Sequence, residues 1–226
     1  MCGRYVIKDS RERFSEFFDI DAVLCSTTIR YNIPPATGIP VIRLHEGKRI
    51  LEEMRWGFEG KMINARAETV HRLPAFRDAF ATRRCIVPAS GYYEWRKLPD
   101  GTRQPYFFTR KDRCPLAFAG LWHPGNPACV VTITTEPNAE ASAVHHRMPV
   151  LVGRRFFARY LDAGPLTESE RREILGPAPA GLLDVWPVSR RVGNVRHDDP
   201  DLMEILREDG GFSGPADPEL PFGSET

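Results

Sequence analysis

Six short apolar runs, rich in β-branched residues and bounded by glycine, proline or polar residues, limit the folds open to this chain. Apolar runs of this length favour strands over helices, because helices need longer amphipathic patterns. The runs lie at 39–44, 49–54, 85–88, 105–109, 115–121 and 128–134. We therefore expect a mostly antiparallel sheet or a distorted barrel at the centre of the molecule.

Helical patterns occupy the segments between these runs. A capping box formed by Asp9 and Glu12 precedes phenylalanines at helical spacing, so 10–20 is predicted to be a helix docked on the core. A second capping box pairs Thr167 with Glu170 at the start of another helix. Further helices are expected at 74–83, 153–161 and 199–208. The mixture predicts an α+β fold with helices at the edges of the sheets.

Proline and glycine mark the parts of the chain that are expected to be irregular. Segment 31–38, with the sequence YNIPPATG, is too rich in both residues for regular structure. The last residues are polar and rich in glycine and proline, which is typical of a disordered tail. Because 226 residues are ordinary for one β-rich domain, we expect a single domain at 1–208 and a tail at 209–226.

Cysteine usage and hydropathy indicate a reducing, cytoplasmic location. The five cysteines are odd in number and none is spaced as CxxC, which argues against a zinc ribbon and a disulfide framework. No stretch approaches the roughly 18 apolar residues of a membrane span. The N-terminal residues also lack the apolar region of a secretory signal.

The net charge of +1 hides an uneven distribution. Residues 1–161 contain 25 Lys or Arg against 16 Asp or Glu, whereas 162–226 contain 6 against 14. A basic body with an acidic tail suits a polyanion such as nucleic acid. Charges spread over solvated faces are the alternative explanation, and charge alone does not decide between the two.

The second residue, Cys2, has unusual chemistry if Met1 is removed. The new terminus then carries an α-amine and a thiol on one residue, with ordinary pKa values of roughly 8 and 8.5. The amine can condense with an aldehyde to an imine, and the thiol can close a five-membered thiazolidine ring that traps it. A buried, inert cysteine is the alternative. Gly3 permits close approach of a ligand, and Arg4 can pair with a phosphate.

Two basic or aromatic segments follow. In NARAET, the side chains of Asn64, Arg66 and Glu68 share one face if the segment is extended, and an arginine there can bind phosphate. Residues 61–90 contain six basic and two acidic residues. In CIVPASGYYEW at 85–95, the aromatic residues can stack on unpaired bases. A carboxylate among them, Glu94, is expected to have a raised pKa suited to acid–base work. The alternative for NARAET is a surface strand with a salt bridge, and the alternative for 85–95 is aromatic core packing.

The segment HHRMPV at 145–150 offers a histidine that shuttles protons near neutral pH and an arginine for phosphate. Adjacent histidines in a strand face opposite sides, and no further ligands stand at zinc spacing. We therefore expect no metal and no cofactor, with a plain surface turn as the alternative for this segment.

Four motifs stand in order along the chain: MCGRY, NARAET, CIVPASGYYEW and HHRMPV. Together with AGLW at 119–122 and PVSRRVGNVRHDDPDL at 187–202, they resemble the SOS-response-associated peptidase family, whose members are also described as abasic-site-processing proteins. The resemblance covers roughly 1–205. It implies a single α+β domain in which curved sheets form a barrel-like core under a positively charged DNA groove.

The resemblance also implies roles for particular residues. Cys2 would attack the ring-opened abasic sugar and form a stable thiazolidine crosslink. Asn64 would orient the sugar or the N-terminus, and Glu94 and His145 would act as acid or base. The expected contacts with DNA are Arg4, Trp56, Arg66, Arg72 or Arg77, Trp95 and Arg147. His146 occupies a variable position of its motif and needs no special role.

The sequence thus predicts a monomeric protein that crosslinks to abasic sites in single-stranded DNA, without metal or membrane. Imines that escape the thiol should give it weak lyase activity. Two other functions stay open. One is an N-terminal-nucleophile cysteine peptidase with Cys2 as nucleophile and His145 as base. The other is a non-catalytic single-strand-binding module, whose binding would be salt-sensitive and indifferent to a missing base.

Overall fold

The apolar runs form strands in the computed structural model, which describes residues 3–58 and 62–206 and the backbone of 212–213. The larger strands are β4 (Gly38–His45), β5 (Lys48–Trp56), β7 (Arg84–Ala89), β8 (Gly91–Lys97), β9 (Arg103–Arg110), β10 (Leu116–His123) and β11 (Cys129–Thr135). The shorter strands are β1 (Tyr5–Ile7), β2 (Ala22–Val23), β3 (Arg30–Ile33), β6 (Asn64–Arg66), β12 (Met148–Pro149), β13 (Leu183–Pro187), β14 (Ile205–Leu206) and β15 (Phe212–Ser213). The expected strands are therefore confirmed.

Two main sheets form the core. The larger has the order β12-β11-β10-β7-β4-β5-β2, and a parallel contact between β11 and β5 partly closes it into a ring. The smaller has the order β13-β9-β8-β1-β3 and is antiparallel throughout. This mixed α+β architecture, with mostly antiparallel sheets, confirms the predicted fold class.

The α-helices of the described residues are α1 (Arg11–Phe18), α2 (Arg77–Thr82), α3 (Ala139–Ser142), α4 (Phe157–Leu161) and α5 (Glu168–Leu175). Helices α2 and α4 contact β7 inside the larger sheet, whereas α3 contacts β13 at an edge of the smaller sheet. The capping box of Thr167 and Glu170 is present at the start of α5, as predicted. At α1 the helix is capped instead by Ser10, whose side chain accepts a hydrogen bond from the backbone N–H of Arg13. The phenylalanines Phe14 and Phe18 are buried, as the helical spacing indicated.

Two further local predictions were wrong. Segment 31–38 is not wholly irregular, because β3 ends at Ile33 and β4 begins at Gly38. The helix expected at 199–208 is a short 3-10 turn, Pro200–Met203, followed by β14, which pairs with β15. Proline suits the first turn of a helix, but the turn ends after four residues. Most of the tail at 209–226 lies outside the described residues, and the domain boundary stays a prediction.

No helix among the described residues is long and apolar enough to span a membrane.

Arg84 is a buried charge that ties α2 and α4 to the ring. Its side chain is almost fully buried at the start of β7. The guanidinium donates hydrogen bonds to the backbone carbonyls of Phe80, Ala81, Tyr160 and Asp162. One side chain thus donates hydrogen bonds to carbonyls at the C-terminal ends of both helices and caps them there.

We expect Arg84→Met to lower the free energy of unfolding by about 3 kcal/mol, because it leaves several buried carbonyls without a donor. Urea denaturation followed by circular dichroism measures the change. Arg77→Met is the matched control, since Arg77 is exposed on α2 and pairs only with its neighbour Asp78. Its effect should stay within about 0.5 kcal/mol, and equal losses in both variants would contradict the assignment.

Candidate functional site

Glu94 is a buried carboxylate in the middle of β8. The strand holds it opposite Tyr106 of β9, and the residue is only 3% exposed. Burial disfavours the charged form and raises the pKa of the carboxyl above its ordinary value. The sequence-based expectation that the aromatic neighbours would desolvate Glu94 agrees with this environment.

His145 lies beside this carboxylate. Its Nδ1 is 3.9 Å from Oε1 of Glu94, and it follows helix α3 at the approach to β12. The backbone N–H of Arg147 also lies 3.1 Å from Nδ1 and can donate to it. Burial is the largest cause that lowers the pKa of His145 to about 4. The imidazole is therefore neutral near pH 7, and the contact with Glu94 is not a salt bridge there.

The Glu94–His145 pair has the properties of a proton-transfer site. Burial favours the protonated form of the Glu94 carboxyl, which can donate a proton, and the neutral imidazole of His145 has a ring nitrogen that can accept one. The two groups are separated by slightly more than hydrogen-bond distance, so a small movement or a substrate group can connect them.

Arg147 is held by neighbouring groups from two directions. Its guanidinium forms a two-pronged ion pair with Glu68, in which Nη2 is 3.0 Å from Oε2. Nη2 also donates to the backbone carbonyl of Thr134 at 2.6 Å. The side chain is 13% exposed. A DNA phosphate would therefore have to share this arginine with Glu68 or displace it.

Strand β6 places Asn64 and Arg66 along one edge of β11. Asn64 lies opposite Thr132, whose hydroxyl donates to the amide oxygen of Asn64 and so fixes which end of the amide faces β11. Arg66 is exposed. The extended segment ends there, because a turn begins after β6, so Glu68 reaches Arg147 from the turn and not from a shared strand face.

The N-terminal strand β1 pairs with β8 beside Glu94. Tyr5 lies opposite Tyr92, and the N–H of Tyr93 donates to the carbonyl of Arg4 at 3.0 Å. Toward its N-terminus, β1 therefore runs along the part of β8 that carries Glu94. Cys2, the expected nucleophile, lies outside the described residues.

The side chain of Arg4 points into a polar network. Its Nη1 is 2.7 Å from Oδ1 of Asn32 and 2.8 Å from the carbonyl of Val192. Asn32, which is 1% exposed, donates from Nδ2 to the carbonyls of Val192, Asn194 and His197. This network fixes the 190–197 segment against β1 and β3, so the half-buried Arg4 has a structural role in addition to any contact with phosphate.

The structure corrects the expected DNA contact of Trp56. Its ring is 1% exposed, packs edge-on against Tyr5, and donates from Nε1 to the carbonyl of Ile63. A buried ring of this kind cannot stack on a base, and we assign Trp56 to the core. Tyr92 and Tyr93 are equally buried. Trp95, further along β8, is partly exposed and is the aromatic of this segment that can reach a ligand.

The other expected contacts are at the surface. Arg72 lies in the turns before α2, and Arg77 begins α2 beside Asp78. Both are exposed, so either is available to a phosphate, and the geometry does not choose between them.

Sequence reasoning missed Arg103 and Asn32. Arg103, at the start of β9, contributes to lowering the pKa of His145, which places its charge near the site. Asn32 holds the 190–197 segment. The two residues lie in segments that the site motifs do not include, and only the pairing of distant strands reveals their positions.

The part of the chain that the structure describes contains no cluster of three or more His, Cys, Asp or Glu side chains that could hold a metal ion.

The lowered pKa of His145 predicts how stability depends on pH. The unfolded chain protonates this histidine near its ordinary pKa of about 6.5, whereas the folded protein does so only near about 4. The unfolded state therefore binds more protons in this window, and stability falls as the pH decreases from about 6.5 to 4. We expect His145→Asn to flatten this decline in urea denaturation between those pH values. An equally steep decline in the variant would show that His145 is not the group responsible.

Comparisons with known proteins agree with these observations. Residues 1–195 match the family described as SOS response associated peptidase (SRAP). The chain is 32% identical over 222 residues to the abasic site processing protein YoaM of Bacillus subtilis, covering 90% of this chain and 98% of that protein. It is 28% identical to the abasic site processing protein YedK of Escherichia coli, covering 90% of this chain and 99% of that protein.

Solved structures show the same fold. A protein from Bacteroides thetaiotaomicron superposes with a TM-score of 0.77 at 20% identity, covering 90% of this chain and 99% of that chain. A phage-related protein from Bordetella bronchiseptica gives a TM-score of 0.68 at 30% identity, covering 84% of this chain and 95% of that chain. The chain belongs to the SOS response associated peptidase family.

Proposed function

We propose that this protein processes abasic sites in single-stranded DNA, and that Cys2 forms a covalent crosslink with the ring-opened sugar after Met1 is removed. Relatives that match nearly the whole chain are named abasic site processing proteins. The observation that carries the proposal is the buried Glu94–His145 pair, whose carboxylate lies on β8, the strand to which the N-terminal strand β1 is hydrogen-bonded.

Strand pairing supplies the proximity that this chemistry needs. Because β1 is hydrogen-bonded to β8, the start of the chain is tied to the strand that carries Glu94. Cys2 is two peptide bonds from Arg4, so its reach from the paired strand is short. Holding the reactants together in this way lowers the entropic cost of the reaction.

The first covalent step joins the α-amine of Cys2 to C1′ of the sugar aldehyde. Attack of the amine gives a carbinolamine, and loss of its hydroxyl as water gives an imine. A proton from the Glu94 carboxyl makes that hydroxyl a better leaving group, which suits its raised pKa.

The second step closes the ring. The thiol sulfur adds to the imine carbon, the imine nitrogen takes a proton, and the thiol proton is lost. The lowered pKa of His145 keeps its imidazole unprotonated at pH 7, so a ring nitrogen is available to accept that proton. The sum of both steps is aldehyde plus aminothiol giving thiazolidine plus one water, with no oxidant or reductant.

Basic residues around the site would hold the strand through its phosphates, which positions DNA without reading its sequence. The exposed residues Arg66, Arg72 and Arg77 fit this role on their accessibility. Arg4 and Arg147 already bind Asn32 and Glu68, so a phosphate would have to share these arginines with those side chains. Trp95 would stack on a neighbouring base. We infer a cytoplasmic location, with the protein on the nucleoid when it is bound to DNA.

An imine that the thiol does not trap can undergo β-elimination, so we infer weak lyase activity. The family description also raises cysteine peptidase activity. In that alternative Cys2 would be the nucleophile and His145 its base. The crosslinking experiment below separates the two activities.

We expect Cys2→Ala to abolish the durable crosslink. The variant keeps an α-amine that can form an imine, but it has no sulfur to close the ring, and open imines hydrolyse. An abasic single-stranded oligonucleotide incubated with protein, heated in SDS and run on a gel measures the adduct. Intact mass of the wild-type protein must first show loss of one methionine.

An undamaged oligonucleotide of the same sequence is the control for the Cys2 experiment. Heat-stable adducts with Cys2→Ala would refute the thiazolidine mechanism. Peptide turnover by the wild-type protein without any adduct would favour the peptidase.

We expect Arg66→Ala to weaken DNA binding by a similar factor on all sequences, since phosphate contacts carry no sequence information. Loss of one such contact should reduce the slope of log affinity against log salt by about 1. Fluorescence anisotropy at several salt concentrations measures both quantities. Arg155→Ala is the matched control, because Arg155 is an exposed arginine that pairs with Glu173 and lies in none of the motifs of the site. An unchanged salt slope in Arg66→Ala would remove Arg66 from the interface.

A further inference from the structure

We propose that Glu68 is a positioning residue that holds His145 opposite Glu94 by way of Arg147. This inference rests on the proposed function, in which His145 moves a proton during ring closure. It assigns a role to the carboxylate of NARAET, which the chemistry above leaves unused.

The first link is the ion pair between Glu68 and Arg147. Both carboxylate oxygens of Glu68 accept from the guanidinium, and this pairing is the largest cause that lowers the pKa of Glu68. Bidentate pairs of this geometry fix direction as well as distance. Glu68 follows β6 along the chain, whereas Arg147 precedes β12, so the pair connects segments on opposite edges of β11.

The second link anchors the arginine to β11 itself. Nη2 of Arg147 donates at 2.6 Å to the carbonyl of Thr134, which lies opposite Arg66 on one edge and Pro149 on the other. With the carboxylate and the carbonyl both bound, the guanidinium is held in one orientation. Its burial to 13% exposure agrees with a fixed side chain.

The third link joins the arginine backbone to the histidine ring. The N–H of Arg147 lies 3.1 Å from Nδ1 of His145, and its carbonyl lies 3.2 Å from the same atom. Fixing the Arg147 side chain therefore fixes the backbone groups that set the orientation of the imidazole. The same ring atom is the one that faces Glu94 at 3.9 Å.

Several charged or titratable groups surround this ring. Glu94 faces it from β8, and the charge of Arg103 acts on it from β9. His146, from its own segment, stacks on it with ring centroids 4.3 Å apart. The α-amine of the chain also acts on it, although that residue lies outside the described part. None of these groups changes when Glu68 is replaced, so a shift of His145 in a Glu68 variant reports on its position.

The competing explanation for the same contacts is that the Glu68 carboxylate competes with a DNA phosphate for Arg147. The two roles differ in outcome. Competition predicts tighter DNA binding when Glu68 is neutralised and no change at His145. Positioning predicts a change at His145 in the protein without DNA.

The test compares Glu68→Gln, Arg147→Lys and the double variant with wild type. NMR titration of the His145 ring without DNA gives its pKa, and the pH profile of crosslinking gives the kinetic counterpart. Loosening of the segment should expose the ring, so its pKa should rise by about one unit toward its ordinary value. The double variant should shift no further than the single variants, because both remove the same link. Glu68→Asp, which keeps the carboxylate, should restore part of the effect.

Glu136→Gln is the matched control. Glu136 is exposed and lines the same surface groove as Glu68. Its replacement should leave the His145 pKa and the pH profile as in wild type. An unchanged His145 pKa in Glu68→Gln, with or without tighter DNA binding, would overturn the proposal. Failure of the proposed function would give a different result: the wild-type protein would form no crosslink, whereas the NMR titration, which uses no DNA, would still report on the position of His145.

Discussion

The corner at Ser90 is the constraint on which the arrangement of this protein depends. Strand β7 belongs to the ring and β8 to the smaller sheet, with one residue between them. The hydroxyl of Ser90 accepts from the N–H groups of Lys8 and Asp9 and donates to the Asp9 carboxylate. At Gly91 a Cβ would lie 2.6 Å from the carbonyl of Phe108, so only glycine fits. The corner thereby binds the chain after β1 and directs β8 along it, which is how Glu94 comes to lie beside the N-terminal strand.

Several polar side chains are buried in this fold, and hydrogen bonds offset the free energy that their burial costs. A buried amide or charge without partners costs about 1–3 kcal/mol or more. Asn32 and Arg84 meet this cost through several backbone carbonyls each. Glu94 and His145 differ, because burial opposes their charged forms and shifts both pKa values. Burial at this pair opposes stability, and shifted pKa values of this kind are typical of functional sites.

The strands, the capped helix at Thr167 and the residue types of the site could be predicted from the sequence because each depends on local pattern. The role of Trp56 could not, since tryptophan near a basic segment looks the same whether it faces a ligand or packs on Tyr5. The sequence also did not show which arginines form ion pairs. Arg147 and Arg66 stand in similar motifs, yet of these two only Arg147 forms an ion pair within the described part of the chain. That ion pair joins segments 79 residues apart. Contacts of this range are set by strand register and not by spacing.

In the proposed mechanism the reactive residue is at the N-terminus, and this makes the pairing of β1 important for the site. A terminal residue is ordinarily mobile, because few contacts restrain it. Here β1 is bonded on both edges, to β8 and to β3, so the restraint reaches almost to the start of the chain. The Arg4 side chain adds a third connection, to the 190–197 segment. In the proposed mechanism, a fixed strand that begins three residues after Cys2 limits the distance from β8 over which the reaction would take place. The same demand accounts for the buried Asn32 network, because a loosely held 190–197 segment would release the strand that it flanks.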